Sequence, residues 1–203
     1  MKRIFLAAIC TLTALSAYGQ AQTALPGVSP CTLDVAQAPA IRGVKLGMTV
    51  DELLAVFPGS AENQQIKRSL AEAEGNPRFG AAFFSISPTG ERFAGISNYA
   101  VQAFDRRIVG LYVAYEGPPN GPRWTNVDDL AEKFVESFKL PSTANWLLDR
   151  SDIRRGLQCH GFQVFALISG DRATLMLVEP EWMQTQKTRL AAYEEQKRRE
   201  FKP

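Results

Sequence analysis

Few residues of this 203-residue chain have the types and spacing that catalysis needs. The single histidine, His160, directly follows Cys159, and a cysteine with a histidine in reach is a pair that nucleophilic catalysis uses. Adjacent residues of an extended strand, however, point to opposite faces. A strand predicted over 157–169 would therefore separate the two side chains. It makes His160 a structural histidine, packed or partly exposed on the same face as Phe162.

Paired carboxylates are the only general acid–base arrangement that the composition offers. The two candidate pairs are Asp128 with Asp129, and Glu179 with Glu181. The first pair falls in the first turn of a predicted helix, where the helix dipole favours negative charge. The second pair flanks Pro180 at another predicted helix start. Both pairs have a sufficient structural explanation, so we assign no catalytic residue and expect no enzyme activity.

Metal and cofactor motifs are missing from the sequence. One histidine and widely spaced cysteines do not form a zinc site of the usual kind. The chain also has no EF-type calcium loop, no glycine-rich phosphate loop after a strand and no nucleophile elbow. We therefore expect neither a metal nor a cofactor.

The N-terminus has the pattern of a secretory signal peptide. Lys2 and Arg3 precede an uncharged apolar run over 4–17, and small residues suited to cleavage follow up to Ala21. The run is shorter than the roughly 20 residues that a membrane-spanning helix needs. We predict a signal peptide over 1–21, a mature chain without a transmembrane span, and a periplasmic or secreted protein.

The charge of the whole chain comes from this segment. The formal net charge is +2, from 23 Lys and Arg against 21 Asp and Glu, and no charged residue lies between Arg3 and Asp34. Cleavage after residue 21 therefore leaves a formally neutral protein. Nucleic-acid binding requires clustered basic residues, so we expect no nucleic-acid partner.

Cysteine usage agrees with export. Cys10 belongs to the predicted signal peptide, and Ile9 before it does not fit a lipidation motif. The mature chain retains Cys31 and Cys159, an even number, which predicts one disulfide in an oxidising compartment. Two buried free thiols are the alternative.

Periodicity and turn signals predict an α+β fold in which short helices pack on an antiparallel sheet. Residues 22–40 have no clear period and indicate a linker or extended arm. A helix begins at Thr49, where Thr49 and Glu52 form a capping box, and Pro58–Gly59 ends it. The remaining predictions are a helix over 62–74, strands over 81–87, 99–104 and 108–116, a helix over 126–139, and strands over 145–150, 157–169 and 173–179.

The order of helix then strands occurs twice, on either side of the turn-rich segment 117–122. This divides the mature chain into a first α+β half over 41–117 and a second over 118–203. The two helix starts can be overlaid, Thr49 on Asn126 and Leu53 on Leu130. The match is consistent with an internal duplication, and equally with convergence, since capping alone favours these residue types.

A C-terminal helix is predicted from Glu181 onwards. Its apolar stripe is narrow and includes Trp182, Leu190 and Tyr193, as expected of a peripheral helix that covers the fold. The alternatives are docking of a partner and contact with anionic lipid through the basic residues of its last turns, Lys197, Arg198, Arg199 and Lys202.

The segment Gly47–Met48–Thr49, followed by Glu52, resembles the helix start of the small outer-membrane lipoprotein family that includes BamE (SmpA/OmlA-like). That family has helices packed on a three-stranded antiparallel sheet. A tandem of two such units is similar to the architecture of the β-lactamase inhibitor protein. The resemblance implies an extracytoplasmic protein that works by contact with another envelope protein. The chain lacks the family's lipidated cysteine.

These observations predict an exported, non-enzymatic envelope protein that acts as a protein-binding or scaffold module. Two alternatives stay open. One is a small secreted hydrolase that uses carboxylates. The other is a binder of lipid or of a small ligand on the sheet, which requires an apolar pocket of several hundred cubic ångströms.

Overall fold

The computed structural model describes residues 31–76, 80–148, 153–170 and 172–202. The predicted signal peptide over 1–21 lies outside these residues, and so does the predicted arm as far as residue 30. The remainder of the arm begins at Cys31 and contains one short helical turn, Val35–Gln37.

Four helices and seven strands make up the described fold, which confirms the α+β prediction and the C-terminal helix. The helices are α1 (Val50–Val56), α2 (Gln64–Gly75), α3 (Val127–Phe138) and α4 (Glu181–Glu200). The strands are β1 (Ala81–Ile86), β2 (Ile96–Phe104), β3 (Arg107–Tyr115), β4 (Leu147–Leu148), β5 (Arg154–Gln158), β6 (Gln163–Ser169) and β7 (Arg172–Val178).

All seven strands form one sheet in the order β1-β2-β3-β7-β6-β5-β4, with every neighbouring pair antiparallel. The β3–β7 ladder joins strands from the two predicted halves. The first half supplies the neighbouring strands β1 to β3, and the second half supplies β4 to β7. Whether the halves arose by duplication stays a prediction. The overlaid positions do share their surroundings, since Thr49 and Asn126 both cap helices while Leu53 and Leu130 are both buried.

The core lies between one side of the sheet and helices α1 to α3. The alternation expected of half-buried strands is clearest in β6 and β7, where every second side chain is buried. Helix residues such as Leu53, Ile66 and Leu130 belong to the same buried cluster. The sheet contributes Ala82, Phe84, Ile86, Tyr99, Val101, Leu111, Val113, Val164, Ala166, Leu175 and Leu177 to it.

The start of α1 is fixed by the capping box that the sequence predicts. The Thr49 hydroxyl accepts a hydrogen bond from the Glu52 amide at 3.2 Å, and the Glu52 carboxylate accepts one from the Thr49 amide at 2.8 Å. Just before the cap, the Gly47 amide donates to the Ile108 carbonyl at 2.8 Å. Gly47 has φ +79°, a conformation that favours glycine. The segment therefore attaches α1 to the start of β3.

The turn between β2 and β3 ties three helices together. Asp105 and Arg106 both have positive φ, as a two-residue type I′ hairpin turn requires. Arg106 donates to Asp51 of α1 at 2.8 Å and to Glu74 of α2 at 2.5 Å. Asp105 accepts a bidentate pair of bonds from Arg189 of α4 at 2.7 and 2.5 Å.

The single strand predicted over 157–169 is wrong, because the segment is a hairpin. β5 ends at Gln158 and β6 begins at Gln163, and the Cys159 amide donates to the Phe162 carbonyl at 2.9 Å across the turn. Gly161 lies where an added Cβ would meet the Val35 amide at 2.8 Å, so the arm packs directly on this turn. His160 therefore sits in a turn and does not share a strand face with Phe162.

The disulfide between Cys31 and Cys159 is confirmed, with Cα atoms 4.4 Å apart and 128 residues between them in sequence. It fastens the arm to the β5–β6 turn. Both half-cystines are buried, at 9% and 2% exposure. Closing so long a loop restricts the unfolded chain far more than the folded one.

We expect the double substitution Cys31→Ala/Cys159→Ala to lower the free energy of unfolding by about 2–5 kcal/mol, because the unfolded chain regains the entropy that the crosslink removes. Urea unfolding of oxidised wild type and of the double variant measures the difference. Dithiothreitol should destabilise the wild type and leave the variant unchanged. Equal stability of the two proteins would contradict a structural role for the bridge.

Candidate functional site

The structure removes the cysteine–histidine pair from the candidates for catalysis. Cys159 is in the disulfide and carries no thiol. His160 is exposed, and its Nδ1 lies 2.7 Å from Oδ1 of Asp34 in the arm. This contact attaches the arm to the β5–β6 turn at a second point beside the disulfide. The thiol that could have acted as a nucleophile next to the ring is consumed in that disulfide.

The first carboxylate pair is divided between two environments. Asp128 forms an ion pair with Arg155 of β5, and this guanidinium holds the pKa of the Asp128 carboxyl below its usual value. Asp129 is exposed on the first turn of α3. A carboxylate bound by arginine is a poor general base, since its charge is already neutralised.

The second pair lies where β7 leads into α4. Burial raises the pKa of the half-buried Glu179 carboxyl, with Arg107 opposing the shift and Glu181 adding to it. The Glu179 amide donates to the Val109 carbonyl at 2.8 Å, which extends the β3–β7 pairing by one bond. Glu179 thus ends the central ladder, and Glu181 opens α4 as the sequence predicts.

The two large cavities of the described structure are poor in acidic residues. These cavities, of about 990 and 620 Å³, are lined by described residues that include one carboxylate, that of Glu116. Within the described ranges, no group of three or more His, Cys, Asp or Glu side chains could hold a metal ion.

The contacts of the family-like motif are those of a helix start. The motif consists of Gly47, Met48, Thr49 and Glu52. Its backbone bonds to β3, its Thr49 and Glu52 cap α1, and the Met48 sulfur accepts from the Lys45 amide at 3.3 Å. None of these residues lines the two cavities.

The feature that stands out is the side of the sheet opposite α1 to α3, which we call the open face. Three of its large apolar side chains are exposed: Phe83 at 62%, Tyr112 at 41% and Leu147 at 56%. The strand registers place one row straight across all seven strands, Ser85, Ala100, Tyr112, Met176, Phe165, Gly156 and Leu147. Tyr112, Met176 and Phe165 are consecutive in this row.

Phe165 is held flat on the open face by its neighbours. An added Cβ on Gly156 would come within 2.8 Å of the Phe165 ring, so the ring lies directly over the glycine. The guanidinium of Arg154 lies 4.8 Å from the centre of the same ring, a cation–π contact. The ring is therefore partly covered by Arg154, and its position is set by the strand beside it.

The edge of the sheet next to Phe83 is closed. The Ser69 hydroxyl of α2 donates to the Phe83 carbonyl at 2.7 Å and accepts from the Phe83 amide at 3.2 Å. These are the two backbone groups that an added strand would need at this position. At this position β1 therefore presents the exposed Phe83 side chain, while its backbone groups are already bonded.

Helix α4 reaches the open face at one end. Phe104 packs between Trp182, with ring centres 5.8 Å apart, and the Arg189 guanidinium, 4.8 Å from its ring centre. The predicted docking of Trp182 is therefore observed. Farther along α4, Lys197, Arg198 and Arg199 form ion pairs with Glu200 and Glu195 at 2.8–3.0 Å.

Six aromatic residues of the strands and of the segments that flank α3 divide into three groups. Trp146 and Phe84 are in the core, at 4% and 5% exposure. Phe83 and Tyr112 lie on the open face, while Tyr115 and Trp124 line the 620 Å³ cavity. Sequence reasoning did not identify the open face, although the alternate residues of β3, β6 and β7 carried the signal.

In the described ranges, no helix has the length and apolar character needed to cross a membrane. Comparison with known proteins adds no relative: no family model, curated protein or solved structure matches the chain.

We expect Asp128→Asn to lower the free energy of unfolding at pH 7 by about 0.5–1 kcal/mol, because it breaks a partly exposed ion pair. The folded-state pKa of Asp128 is lowered, so its contribution is present above the unfolded pKa. It fades as the pH falls from about 4 through the folded pKa.

Urea unfolding at pH 7 and pH 3 measures both effects. Asp129→Asn is the matched control, since it removes a neighbouring first-turn charge without breaking the ion pair with Arg155. A pH-independent difference between Asp128→Asn and wild type would contradict the assignment.

Proposed function

We propose that this chain is an exported, non-enzymatic envelope protein that binds another protein through the open face. The observation that carries the proposal is the apolar row on that face, in which the exposed Tyr112 and the partly buried Met176 and Phe165 lie on adjacent strands. Contiguous apolar side chains on a protein surface often mark an interaction site, whereas single exposed apolar residues do not.

The composition of the open face fits a protein partner. Aromatic residues and methionine are enriched at the centres of protein interfaces, while lysine and glutamate are depleted there. Tyr112, Phe165 and Met176 follow this pattern, and Gln163 and Gln158 lie in the next row of β6 and β5. Arginine is also enriched at interfaces, and the Arg154 guanidinium lies over the Phe165 ring.

Rigidity of the face adds support. The Gln102 side chain is buried against Gly110, where an added Cβ would approach its side chain to 3.0 Å. Phe165 lies over Gly156 in the same way. Side chains that are fixed before binding lose less entropy on association, so the face needs little rearrangement.

Export is proposed from the sequence pattern over 1–21, and the disulfide is consistent with it, because such bonds persist in oxidising compartments. The resemblance of the α1 start to the BamE-like lipoproteins suggests the same compartment. The proposal that the partner is another envelope protein comes from that resemblance.

The carboxylate hydrolase has less support. Asp128 is bound to Arg155 and Cys159 is oxidised in the disulfide, so the described residues offer one carboxylate of raised pKa, Glu179, without an acidic cavity around it. Lipid contact through α4 is also weakly supported, since its basic residues are paired along the helix.

Site-specific crosslinking in the native host tests the proposal. A photo-crosslinking amino acid placed at Tyr112 should give one reproducible adduct with a partner protein, identified by mass spectrometry. The same amino acid at Phe201, which is 74% exposed and distant in sequence from the open face, is the control. Adducts at Phe201 but not at Tyr112 would contradict binding through the open face.

We further expect Tyr112→Glu to weaken binding of the crosslinked partner at least tenfold, because a charge would be buried at the centre of the interface. Tyr112 is already exposed, so thermal stability should change little. Phe201→Glu introduces the same charge elsewhere and should bind normally. Unchanged affinity of Tyr112→Glu in a pull-down titration would be evidence against the proposed surface.

A further inference from the structure

A groove on the helix side of the sheet has the properties of a small-molecule site. It has a volume of about 620 Å³ and lies between α3 and the ends of β2 and β3. Residues 120–124 form a third wall. Small-molecule pockets commonly measure about 300–1,000 Å³, so the groove is large enough for such a ligand.

The interior of the groove is aromatic. The rings of Tyr115 and Phe134 lie 5.8 Å apart between centres, and those of Phe134 and Phe138 lie 6.1 Å apart. Trp124 lines the groove as well, and the buried residues Leu130 and Ala173 complete the lining. This surface suits the apolar part of a ligand.

One end of the groove carries an arginine on a tight turn. The Ile41 amide donates to the Val44 carbonyl at 2.7 Å, and the Val44 amide donates back to Ile41 at 3.0 Å. Arg42 therefore occupies a turn position with φ +53°, which costs energy in a residue other than glycine. In the described part of the chain, Arg42 has no carboxylate within ion-pair distance.

Tyr115 supplies a second donor to the same groove, since it and Arg42 both belong to the lining. Burial raises the pKa of the Tyr115 hydroxyl to about 12, with Arg42 lowering it, so the group stays protonated at neutral pH. Among the described residues, the hydroxyl finds no hydrogen-bond partner. Both donors are therefore available to one ligand in the groove.

The remaining charges of the lining are Lys133 and Glu116. Lys133 is paired with Glu136 at 2.9 Å, so its charge is balanced within α3. Arg42 and Glu116 carry the two remaining, opposite charges of the lining. The guanidinium of Arg42 favours an anionic group beside it and disfavours a cationic one.

We propose that this groove binds an amphiphilic carboxylate, whose apolar chain lies along Trp124, Phe134 and Phe138 and whose carboxylate accepts hydrogen bonds from Arg42 and Tyr115. Arg42 and the carboxylate form a charge-assisted pair, which is stronger than a neutral hydrogen bond. The groove shares none of its described lining residues with the row Tyr112, Met176 and Phe165, so this site is independent of partner binding on the open face.

Calorimetric titration of the full-length purified protein with sodium dodecanoate, below its micelle concentration, tests the proposal. We expect one molecule bound per chain and a change in tryptophan fluorescence, since Trp124 lines the groove. Dodecyltrimethylammonium has the same chain with a cationic head, and it should bind at least tenfold more weakly.

Two pairs of variants locate the site. Arg42→Gly removes the guanidinium at a position of positive φ that suits glycine, so it should weaken dodecanoate binding five- to tenfold without loss of thermal stability. Ser137→Trp fills the groove from α3 and should abolish binding. Glu132→Trp adds the same ring to an exposed position of α3 outside the groove and should bind normally.

Three results would overturn the proposal: no dodecanoate binding, equal binding of the cationic amphiphile, or unchanged binding in Arg42→Gly. Arg42→Gly relieves backbone strain and should fold normally. It therefore tests the proposal even if Ser137→Trp fails to fold. If Tyr112→Glu loses partner capture and still binds dodecanoate normally, the groove and the open face are independent sites, as proposed.

Discussion

The β3–β7 ladder is the interaction on which the rest of the fold depends. It pairs Gly110–Ala114 with Thr174–Val178 and is the hydrogen-bonded junction between the strands of the first half and those of the second. Leu111 and Leu177, partners in this ladder, are both fully buried. Each half alone would expose this edge and half of the core, so we infer that neither half is stable without the other.

A single sheet with all of its core on one side leaves the other side to solvent. The helices α1 to α3 cover one side, and α4 meets the other side at Phe104. The same arrangement places the aromatic groove where α3 and the strand ends diverge. The open face and the groove are thus two consequences of one sheet that joins two halves, each with its own helices.

The sequence predicts the local parts of this structure well. Helix α1 and its cap follow from Thr49, Glu52 and Pro58–Gly59, because capping depends on neighbours within four residues. The disulfide follows from the number of cysteines and the expected compartment. The strand predicted over 157–169 contains a turn that the local pattern does not reveal, because Gly161 is the only turn-type residue among 159–162. The arm that packs on Gly161 is distant from it in sequence.

The candidate sites could not be predicted from local patterns for the same reason. Tyr112, Met176 and Phe165 become neighbours only through the β3–β7 and β6–β7 registers, and Arg42 and Tyr115 line one groove only after the chain folds back. Periodicity identifies which side of a strand a residue faces, but not which strand lies beside it.

The bonds from Ser69 to β1 have a consequence for solubility. An exposed aromatic residue beside an unpaired strand edge is the arrangement from which chains polymerise edge to edge. Phe83 is such a residue, and its amide and carbonyl are both occupied by the Ser69 hydroxyl. One side chain of α2 thereby keeps the backbone of an exposed aromatic residue from pairing with another strand.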